Sequence, residues 1–472
     1  MTNFEKLGIL FKVLKKGNLT CFSVLLSEKG YHVMTKVVKF GGSSLASAEQ
    51  FRKVKNIITA EDSRRFVVPS APGKRFSADT KVTDMLYGCY DLAAKGKDFT
   101  KEFDAIKERY NGIISELGLD LSLDSEFDVI KACFIGKAGR DYAASRGEFL
   151  NGIVLANFLG YNFIDAADVI YFDERGMVDT ARTNKALGEK LEGLDNAVIP
   201  GFYGSMPNDT IKTFSRGGSD VTGSIVAAAV NADLYENWTD VSGFLTTDPR
   251  IVKDPAPITT ITYKELRELS YMGAGVLHED AIFPVRKAGI PINIRNTNKP
   301  EDQGTLIVES TSQKPAYTIT GIAGKKGFTV INIEKDMMNA ELGFGRKVLE
   351  VFEKNGVSFE HMPSGIDTMS IVVQQETFAD KEQEILAGLH RNCHPDSIEI
   401  ETDLALIAVV GRAMKANRGT AGRIFSALAH AHVNVKMIDQ GSSELNVIIG
   451  VSEDDFETAV KAIYDIFVET KL

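Results

Sequence analysis

Short apolar runs alternate with helix-like spacing of apolar positions from Thr35 to about Glu309. The runs that predict strands are 67–68, 197–199, 232–235 and 291–294, with 129–135 as a further candidate. Because strands that alternate with helices usually form a parallel sheet with helices on both faces, this region predicts an α/β domain with an open, mainly parallel sheet. The polar stretch 310–315, which ends in Pro315, indicates a linker.

After this linker the pattern changes and then occurs twice. The order strand, helix, strand, strand, helix is predicted between 318 and 389, with 397–400 as a candidate closing strand, and again between 403 and 467. Each copy is consistent with a small α+β, ferredoxin-like sandwich. The sequence therefore predicts a large domain over residues 34–309 and two small domains over 316–392 and 402–472.

The first 33 residues differ in pattern from the rest of the chain. Apolar residues from Phe4 to Leu14 recur at helical spacing, and a short apolar run lies at 21–26. No small-residue cleavage site precedes Glu28, so a secretory signal is not predicted. Met34 stands directly before the first strand of the large domain, so we expect translation to start there and residues 1–33 to be a poorly ordered extension.

Composition excludes several classes of partner. A chain of 472 residues with a net charge of −10 repels a phosphate backbone, and no basic block interleaved with aromatics occurs, so nucleic acid is not an expected partner. No apolar run approaches the roughly 20 residues that span a bilayer, which predicts a soluble protein without a membrane partner. The four cysteines are scattered without metal-ligand spacing, so no resident metal is expected and a reducing cytoplasm is indicated.

A first glycine-rich turn predicts an anion site. The segment 39–44, Lys-Phe-Gly-Gly-Ser-Ser, comes after a short apolar strand, and adjacent glycines allow the backbone to approach a ligand closely. Ser43 and Ser44 are predicted to cap a helix that starts near Leu45. Lys39 adds a full positive charge, although an ordinary strand-to-helix turn with a surface lysine would have the same pattern.

A second such turn lies at 216–220, Arg-Gly-Gly-Ser-Asp, before a helix of small and β-branched residues. Ser219 or Asp220 is predicted to cap this helix, and the planar fork of Arg216 suits a carboxylate or a phosphate. A buried capped helix with an exposed arginine is the alternative. Two glycine-rich anion sites in one domain favour the ligand-binding interpretation.

These two segments, together with 145–150 (Ser-Arg-Gly-Glu-Phe-Leu) and 238–250 (from Trp-Thr-Asp to Asp-Pro-Arg), closely resemble aspartate kinase. The two small copies resemble the tandem ACT regulatory domains of its monofunctional members, so the resemblance covers everything after Met34. It implies an amino-acid-kinase catalytic domain that transfers the γ-phosphoryl group of ATP, bound with Mg²⁺, to the side-chain carboxylate of L-aspartate, the first step toward lysine, threonine and methionine. That carboxylate is ionised at pH 7, so the reaction needs no general base.

The resemblance also implies the site residues. The catalytic residues would be Lys39, Arg216 and Asp220, with Arg216 on the α-carboxylate of aspartate and Glu148 on its α-ammonium group. The other aspartate contacts would be Thr83, Phe202 and Ser219. The nucleotide contacts would be Lys39, Phe40, Gly41, Gly42, Ser43, Thr239, Asp240, Leu245, Arg250, Gly275 and Val276. By residue type alone, Glu148 would be a solvated helix glutamate, Thr83 a helix cap and Phe202 a core residue.

Two positions depart from the family pattern. Leu245 stands where many relatives carry a nucleotide-contacting tyrosine, and Gly275 stands where many carry a lysine. The second departure removes one positive charge from the expected ATP site. Lys39 and Arg250 would then have to suffice, or Lys287 or Arg295 would have to substitute.

The ACT pair implies control by an end product, lysine or lysine together with threonine, and a homodimer or homotetramer. The effector pocket is expected in the first copy, where a loop opening a helix offers N–H groups to a carboxylate and Glu360 offers an anion to an ammonium group. The expected effector contacts are Met338, Glu341, Gly343, Phe344, Gly345, Ser358, Phe359, Glu360 and Ser364. Glu360 as an exposed strand charge and Met338 as a packing residue are the alternatives.

Two other functions remain open at this stage. One is a related kinase that phosphorylates glutamate, acetylglutamate or a nucleotide, against which the 216–220 segment and the ACT pair both argue. The other is a catalytically silent amino-acid sensor that keeps the kinase domain as a scaffold, which the glycine at position 275 makes conceivable. No dinucleotide-binding glycine motif occurs after the second copy, so a fused homoserine dehydrogenase is not expected.

Overall fold

The computed structural model describes residues 24–27, 30–215, 217–275, 277 and 279–470. The chain divides into two compact units. The first unit comprises Met1–Phe244 and Leu277–Ser310, and the second comprises Leu245–Val276 and Thr311–Leu472. Of the predicted N-terminal extension, residues 1–23 lie outside the described residues, and Val24–Ser27 (β1) pairs antiparallel with Gly30–Val33 (β2).

The elements up to residue 310 are given in chain order. The strands are β3 (Lys36–Phe40), β4 (Arg64–Pro69), β5 (Asn162–Phe163), β6 (Ala197–Val198), β7 (Tyr203–Ser205), β8 (Ile211–Thr213), β9 (Leu234–Thr239), β10 (Phe244–Leu245), β11 (Pro257–Ile258), β12 (Thr260–Thr262), β13 (Ile292–Asn296) and β14 (Thr305–Val308). The helices are α1 (Ala48–Thr59), α2 (Val82–Ala94), α3 (Thr100–Leu117), α4 (Asp124–Ile135), α5 (Arg140–Leu159), α6 (Thr180–Leu191), α7 (Gly218–Ala229), α8 (Tyr263–Tyr271) and α9 (Glu279–Ala288).

The elements after residue 310 belong to the second unit. The strands are β15 (Gly321–Glu334), β16 (Phe359–His361), β17 (Thr368–Gln374), β18 (Ser397–Val410), β19 (Met437–Asp439) and β20 (Asn446–Ser452). The helices are α10 (Phe344–Lys354), α11 (Gln375–Ala379), α12 (Glu382–Cys393), α13 (Thr420–His430) and α14 (Phe456–Tyr464).

In the first unit, strands lie side by side in the order β14, β13, β9, β3, β4, β6, β5. Adjacent strands from β13 to β5 run parallel, and only the β14 pairing in this series is antiparallel. Strand β3 is buried along its whole length, as expected for a central strand covered on both faces. The predicted α/β class with an open, mainly parallel sheet is confirmed.

The candidate strand at 129–135 is wrong, because these residues lie in α4. Phe127, Ile130 and Phe134 are buried at helical spacing in the core formed with α2, α3 and α5. Val129 and Ile135 are 58% and 66% exposed, so the apolar run at this point does not correspond to a buried strand.

In the second unit, the six strands after residue 310 form one antiparallel sheet in the order β16, β17, β15, β18, β20, β19. Strands β15 and β18 pair along almost their full length, with a register irregularity on either side of Phe328. The predicted succession of elements occurs twice, which confirms the two α+β copies. The closing strand predicted at 397–400 and the strand that opens the second predicted copy at 403 are parts of one continuous strand, β18.

The two copies exchange strands. Ile319 and Ile322, at the start of β15, pack in the core formed by α13, α14, β18 and β20, while Ile331 and Ile333, at its end, pack with α10 and α12. Residues that belong to the core of the second copy therefore come, in the sequence, before most elements of the first copy. This differs from the predicted boundaries, which placed all of 316–392 in the first copy.

Helix α8 is fixed within the second unit by one buried carboxylate. Glu265 is fully buried and accepts hydrogen bonds from the hydroxyls of Thr262 and Thr320 and from the backbone and guanidinium of Arg412. These bonds satisfy a charge that would be costly if buried alone. They explain why the segment 245–276 groups with residues after 310.

No helix in the described part of the chain combines the length and the apolar composition needed to cross a bilayer.

Candidate active site

The glycine-rich loop at 39–44, at the end of β3, contacts a second loop that comes after β4. The amide of Gly73 donates to the carbonyl of Gly42 at 2.8 Å. A Cβ at Gly73 would lie 2.6 Å from the carbonyl carbon of Gly42, and a Cβ at Gly42 would lie 2.9 Å from the carbonyl oxygen of Ala71. Both positions therefore require glycine because two backbones touch there.

The predicted helix cap at Ser43 and Ser44 is wrong. Gly42–Leu45 forms a 3₁₀ turn, and α1 begins at Ala48, where the hydroxyl of Ser47 accepts from the amide of Gln50 at 3.4 Å. Ser44 instead shares a hydrogen bond with the hydroxyl of Thr297 at 2.7 Å. The tight turn is thus fastened to the loop after β13.

Lys39 and Asp220, two of the predicted catalytic residues, form an ion pair at 2.6 Å. Lys39 is 7% exposed, and its ammonium also contacts the amide oxygen of Asn237 at 3.4 Å. The amide nitrogen of Asn237 donates to the same Asp220 carboxylate at 2.8 Å. Because β3 and β9 are adjacent parallel strands with Lys39 opposite Asn237, the sheet register builds this triad from residues far apart in sequence.

The start of α7 is closely packed. A Cβ at Gly218 would lie 2.3 Å from the ring of Phe202, and a Cβ at Gly201 would lie 2.6 Å from the hydroxyl of Ser219. Phe202 has a positive φ of 81°, and its amide donates to the hydroxyl of Thr222 at 3.0 Å. This strained conformation at a bulky residue is held by its surroundings.

Neither Ser219 nor Asp220 caps α7, so that prediction is wrong. The cap position is occupied by Gly217 in the left-handed conformation with φ of 56°, and no side chain bonds to the helix start. Ser219 is 8% exposed, and Asp220 is committed to Lys39. Arg216, the predicted carboxylate clamp, lies outside the described residues.

Glu148 lies on α5 and is 5% exposed. Its Oε2 atom is buried without a hydrogen-bond partner among the described residues. Burial raises the pKa of Glu148 to about 8, and the backbone N–H of Ala71 and the charge of Arg146 offset only part of that rise. A buried carboxylate with an unsatisfied oxygen is a site prepared for a cation.

Thr83, a further predicted aspartate contact, lies near the position on α5 directly before Glu148. At Gly147, the residue before Glu148, a Cβ would lie 2.8 Å from the Cβ of Ala71 and 3.7 Å from the hydroxyl of Thr83. One turn further along α5, the fully buried Asn151 donates to the carbonyl of Ser70 at 2.6 Å, and its amide oxygen has no partner among the described residues. Sequence reasoning missed Asn151, because a lone asparagine in a helix carries no pattern.

Of the other predicted nucleotide residues, Phe40 is fully buried and its ring stacks on Trp238, while its carbonyl accepts a hydrogen bond from the amide of Ser70 at 3.0 Å. Thr239 and Asp240 stand at the carboxyl end of β9, where open α/β sheets bind ligands. The hydroxyl of Thr239 donates to the Asp240 carboxylate at 3.1 Å. Gly41 lies next to them, with its amide donating to the carbonyl of Trp238 at 3.0 Å.

The remaining nucleotide candidates fall in the second unit. Leu245 is 37% exposed, and Gly275 is exposed with open space where a side chain would stand. Arg250 holds Asp248 in a two-pronged ion pair at 3.0 and 2.6 Å, which lowers the pKa of Asp248. Val276 lies outside the described residues.

The predicted effector residues of the first copy are only partly available to a ligand. Met338 and Phe344 are 5% and 3% exposed and belong to the core of that copy. Glu341 is held between Lys335 and Lys347, and hydrogen bonds from these two lysines, Lys335 first, lower its pKa to about 2. Its charge is therefore already matched within the protein.

Glu360 accepts hydrogen bonds from the hydroxyl of Tyr271 at the end of α8 and from Gln374 at 3.2 Å. Gly343 is the N-cap of α10 and has the left-handed conformation with φ of 80°, so the predicted helix-opening loop is present. The other predicted contacts border this loop or the edge strand β16: Gly345, Ser358, Phe359 and Ser364.

The corresponding loop of the second copy carries a cavity that sequence reasoning did not identify. It has a volume of about 220 Å³ and is lined by the loop before α13, from Met414 to Ala421, and by Gln440, Glu444 and Val447. Gly419 is the N-cap of α13 with φ of 83°, as Gly343 is the N-cap of α10 in the first copy. The repeated Gly before each helix was the signal that could have found this second site.

Comparison with known proteins places this chain in a class. The model of the amino acid kinase family matches residues 34–296, and a model of the ACT domain matches residues 407–467. A crystal structure of E. coli aspartokinase III in complex with aspartate and ADP has a TM-score of 0.69 at 24% identity, covering 92% of this chain and 99% of that chain, which supports the fold. The molecule is therefore an amino acid kinase with ACT domains.

Two proteins of higher sequence identity identify the family within this class. Aspartokinase 3 of Bacillus subtilis is 40% identical over 448 residues, which cover 92% of this chain and 98% of that protein. The crystal structure of Clostridium acetobutylicum aspartate kinase, described as an allosteric enzyme, has a TM-score of 0.85 at 54% identity and covers 92% of this chain and all of that chain. The chain belongs to the aspartokinase family.

Proposed function

We propose that this chain transfers the γ-phosphoryl group of ATP to the side-chain carboxylate of L-aspartate. One carboxylate oxygen forms the new bond to phosphorus, the bond between phosphorus and the bridging β,γ oxygen breaks, and the products are 4-phospho-L-aspartate and ADP. The observation that carries the proposal is the buried Glu148 with its unpartnered oxygen, because an amino acid supplies the ammonium group that this carboxylate lacks.

Charge determines the roles of the other residues. Both reactants are anions, so the protein must cancel their repulsion and the charge on the transferring oxygens. Lys39 supplies positive charge at the interlocked glycine loops, and Asp220 and Asn237 hold its ammonium in place. Mg²⁺ accompanies ATP as part of the substrate.

Aspartate would be held by several groups. Glu148 takes the α-ammonium group and Arg216 the α-carboxylate, while Thr83 and Ser219 offer hydroxyls beside them. Phe202 forms a wall, since its ring packs against the first turn of α7. The nucleotide would lie at the carboxyl end of β9, where Thr239 and Asp240 stand.

Regulation by an amino acid, lysine or lysine with threonine, is proposed for the ACT pair, together with a homodimer or homotetramer in the cytoplasm. The two helix-opening loops at Gly343 and Gly419 support amino-acid binding, because each offers backbone N–H groups to a carboxylate. Cys89, Cys133 and Cys393 carry free thiols, which supports a reducing compartment.

A coupled assay of ADP release tests the proposed function. We expect turnover that depends on L-aspartate and MgATP, little turnover with L-glutamate, and inhibition when lysine is added. Preference for glutamate would assign the chain to a different acceptor. Absence of turnover with every amino acid tested, combined with binding of lysine, would establish the silent sensor instead.

The pH dependence of aspartate binding provides a second test. Because burial raises the pKa of Glu148 to about 8 in the free protein, this group is mostly neutral at pH 7 and becomes charged as the pH rises. The charged form attracts the substrate ammonium, so the KM for aspartate should fall about fivefold between pH 7 and pH 8, in step with the ionised fraction. The measurement is KM at saturating MgATP from about pH 6.5 to 8.5, and a KM that stays constant over this range would contradict the assignment.

A further inference from the structure

The cations suggested for the ATP site leave a deficit of free positive charge. Lys39 is already paired with Asp220 at 2.6 Å, and Arg250 is paired with Asp248. Two negatively charged molecules must nevertheless meet at the loop after β3.

The two alternative cations within the first unit have other surroundings. Arg295 donates to the carbonyls of Pro300 and Asp302, and its guanidinium lies 4.6 Å from the ring of Trp238. Lys287 borders a cavity of about 850 Å³ on the face of α7 that carries Val221 and Ile225. Neither side chain is placed at the interlocked glycine loops.

Lys74 is the cation that directly adjoins these loops. It comes after Gly73, whose backbone touches Gly42 and whose Cβ position lies 2.8 Å from the amide nitrogen of Ser43. Its side chain is exposed, and its ammonium bonds only the carbonyl of Ser77, at 3.3 Å, with no carboxylate within 4 Å among the described residues. A flexible lysine stem lets such an ammonium turn toward an anion bound at Ser43.

The neighbouring arginine is not available for the same task. Arg75 holds the carboxylate of Asp79 with both prongs of its guanidinium, at 2.8 and 3.0 Å. This contact, reinforced by Arg109, holds the pKa of Asp79 well below its usual range. Within the described part of the chain, this loop therefore carries Arg75, whose charge is neutralised by Asp79, next to Lys74, which no carboxylate contacts.

A single buried guanidinium fixes the position of this loop. Arg109, on α3, is 7% exposed and donates to the carboxylate of Asp79 at 2.7 Å, to the carbonyl of Gly73 at 2.7 Å and to the carbonyl of Ala46 at 3.1 Å. Ala46 comes directly after the 3₁₀ turn Gly42–Leu45 of the glycine-rich loop. Arg109 thus ties both glycine loops to one rigid group.

We propose that Lys74 contacts the phosphates of the bound nucleotide, and that Arg109 is the positioning residue that holds Lys74 at the site. This inference rests on the proposed function only for the identity of the anion, a nucleoside triphosphate. A compact ammonium acts on phosphate as a point charge and needs no fixed geometry beyond proximity.

Calorimetric binding of MgATP to the full chain, without aspartate, tests the role of Lys74. We expect Lys74→Ala to weaken MgATP binding about tenfold, as for one lost charge-assisted contact, while aspartate affinity and the melting temperature stay unchanged. Lys74→Arg should stay within about threefold of the unaltered chain because it keeps the charge. The matched control is Lys95→Ala, which should have no effect. Lys95 is exposed and lies at the C-terminal end of α2, whereas Lys74 comes before its N-terminal end.

A double-mutant cycle tests the role of Arg109 separately from its contribution to stability. If Arg109 acts through Lys74, then Lys74→Ala should cost little further MgATP affinity once Arg109→Met is present. Fully additive losses would show that Arg109 is only structural. MgATP affinity of Lys74→Ala within about twofold of the unaltered chain would overturn the whole inference.

The outcomes separate this inference from the proposed function. A chain that binds MgATP but phosphorylates no aspartate would refute the function while the Lys74 comparison still gives a result. Normal aspartate phosphorylation with unchanged binding in Lys74→Ala would refute only the role of Lys74. A chain that does not bind MgATP would refute both.

Discussion

Replacing Lys39 with alanine should lower kcat for aspartate phosphorylation about a thousandfold, near the upper end of what loss of one preorganised electrostatic contact costs. The substitution removes the buried ammonium at the glycine loops and also leaves the Asp220 carboxylate without its ion-pair partner. An unpaired carboxylate beside the phosphate site adds repulsion to the lost attraction. The measurement is ADP release at saturating aspartate and MgATP.

Two controls make this result interpretable. Lysine binding and the melting transition of the second unit should be unchanged in Lys39→Ala, since the substituted side chain lies in the first unit. Adding Asp220→Asn to Lys39→Ala should recover part of the MgATP affinity, because it removes the unpaired charge. Near-normal turnover of the single variant would show that Lys39 has no part in phosphoryl transfer.

The second large effect is expected at Glu148. Glu148→Gln keeps the size and removes the charge, so the KM for aspartate should rise about a hundredfold, as for loss of a charged hydrogen bond in a buried site, while MgATP affinity changes little. The melting temperature at about pH 8 should stay equal or rise, because the glutamine amide avoids the cost of ionising a buried, unpartnered carboxylate. Loss of function without loss of stability distinguishes a binding group from a structural one.

The comparison variant is Glu102→Gln, an exposed glutamate on α3, which should leave both KM and stability unchanged. An unaltered KM in Glu148→Gln would instead assign the ammonium contact to another group. A parallel fall in melting temperature and in the affinity for both substrates would indicate that Glu148 only supports the packing of α5.

The periodicity of apolar residues was sufficient to predict much of the fold. The alternation of apolar runs and helical patterns predicts the parallel sheet, and the repeated element order predicts two α+β copies. It failed at 129–135, where the apolar residues include two exposed ones and the buried ones are spaced as in a helix. It also could not show that β15 and β18 each run through both copies, because strand pairing over long sequence distances is set by tertiary packing.

The site residues in glycine-rich turns were predictable from the sequence. Those whose role depends on burial were not. Lys39 and Asp220 stand in such turns, and the structure brings them within 2.6 Å. For Glu148, the residue type favours a solvated side chain, so only the resemblance identified it, and nothing in the sequence predicted its raised pKa. Arg109 was missed because its partners are backbone carbonyls 36 and 63 residues away.

The strand exchange between the two ACT copies has a consequence for dissecting this protein. A fragment that starts at residue 402 would lack Ile319 and Ile322, which fill the hydrophobic interior closed by α13 and α14. A fragment that stops at 392 would lack the first half of β18, which completes the sheet beneath α10 and α12. The part of the chain after residue 310 should therefore melt and be digested as one body, and a protease cut within either long strand should unfold both copies together.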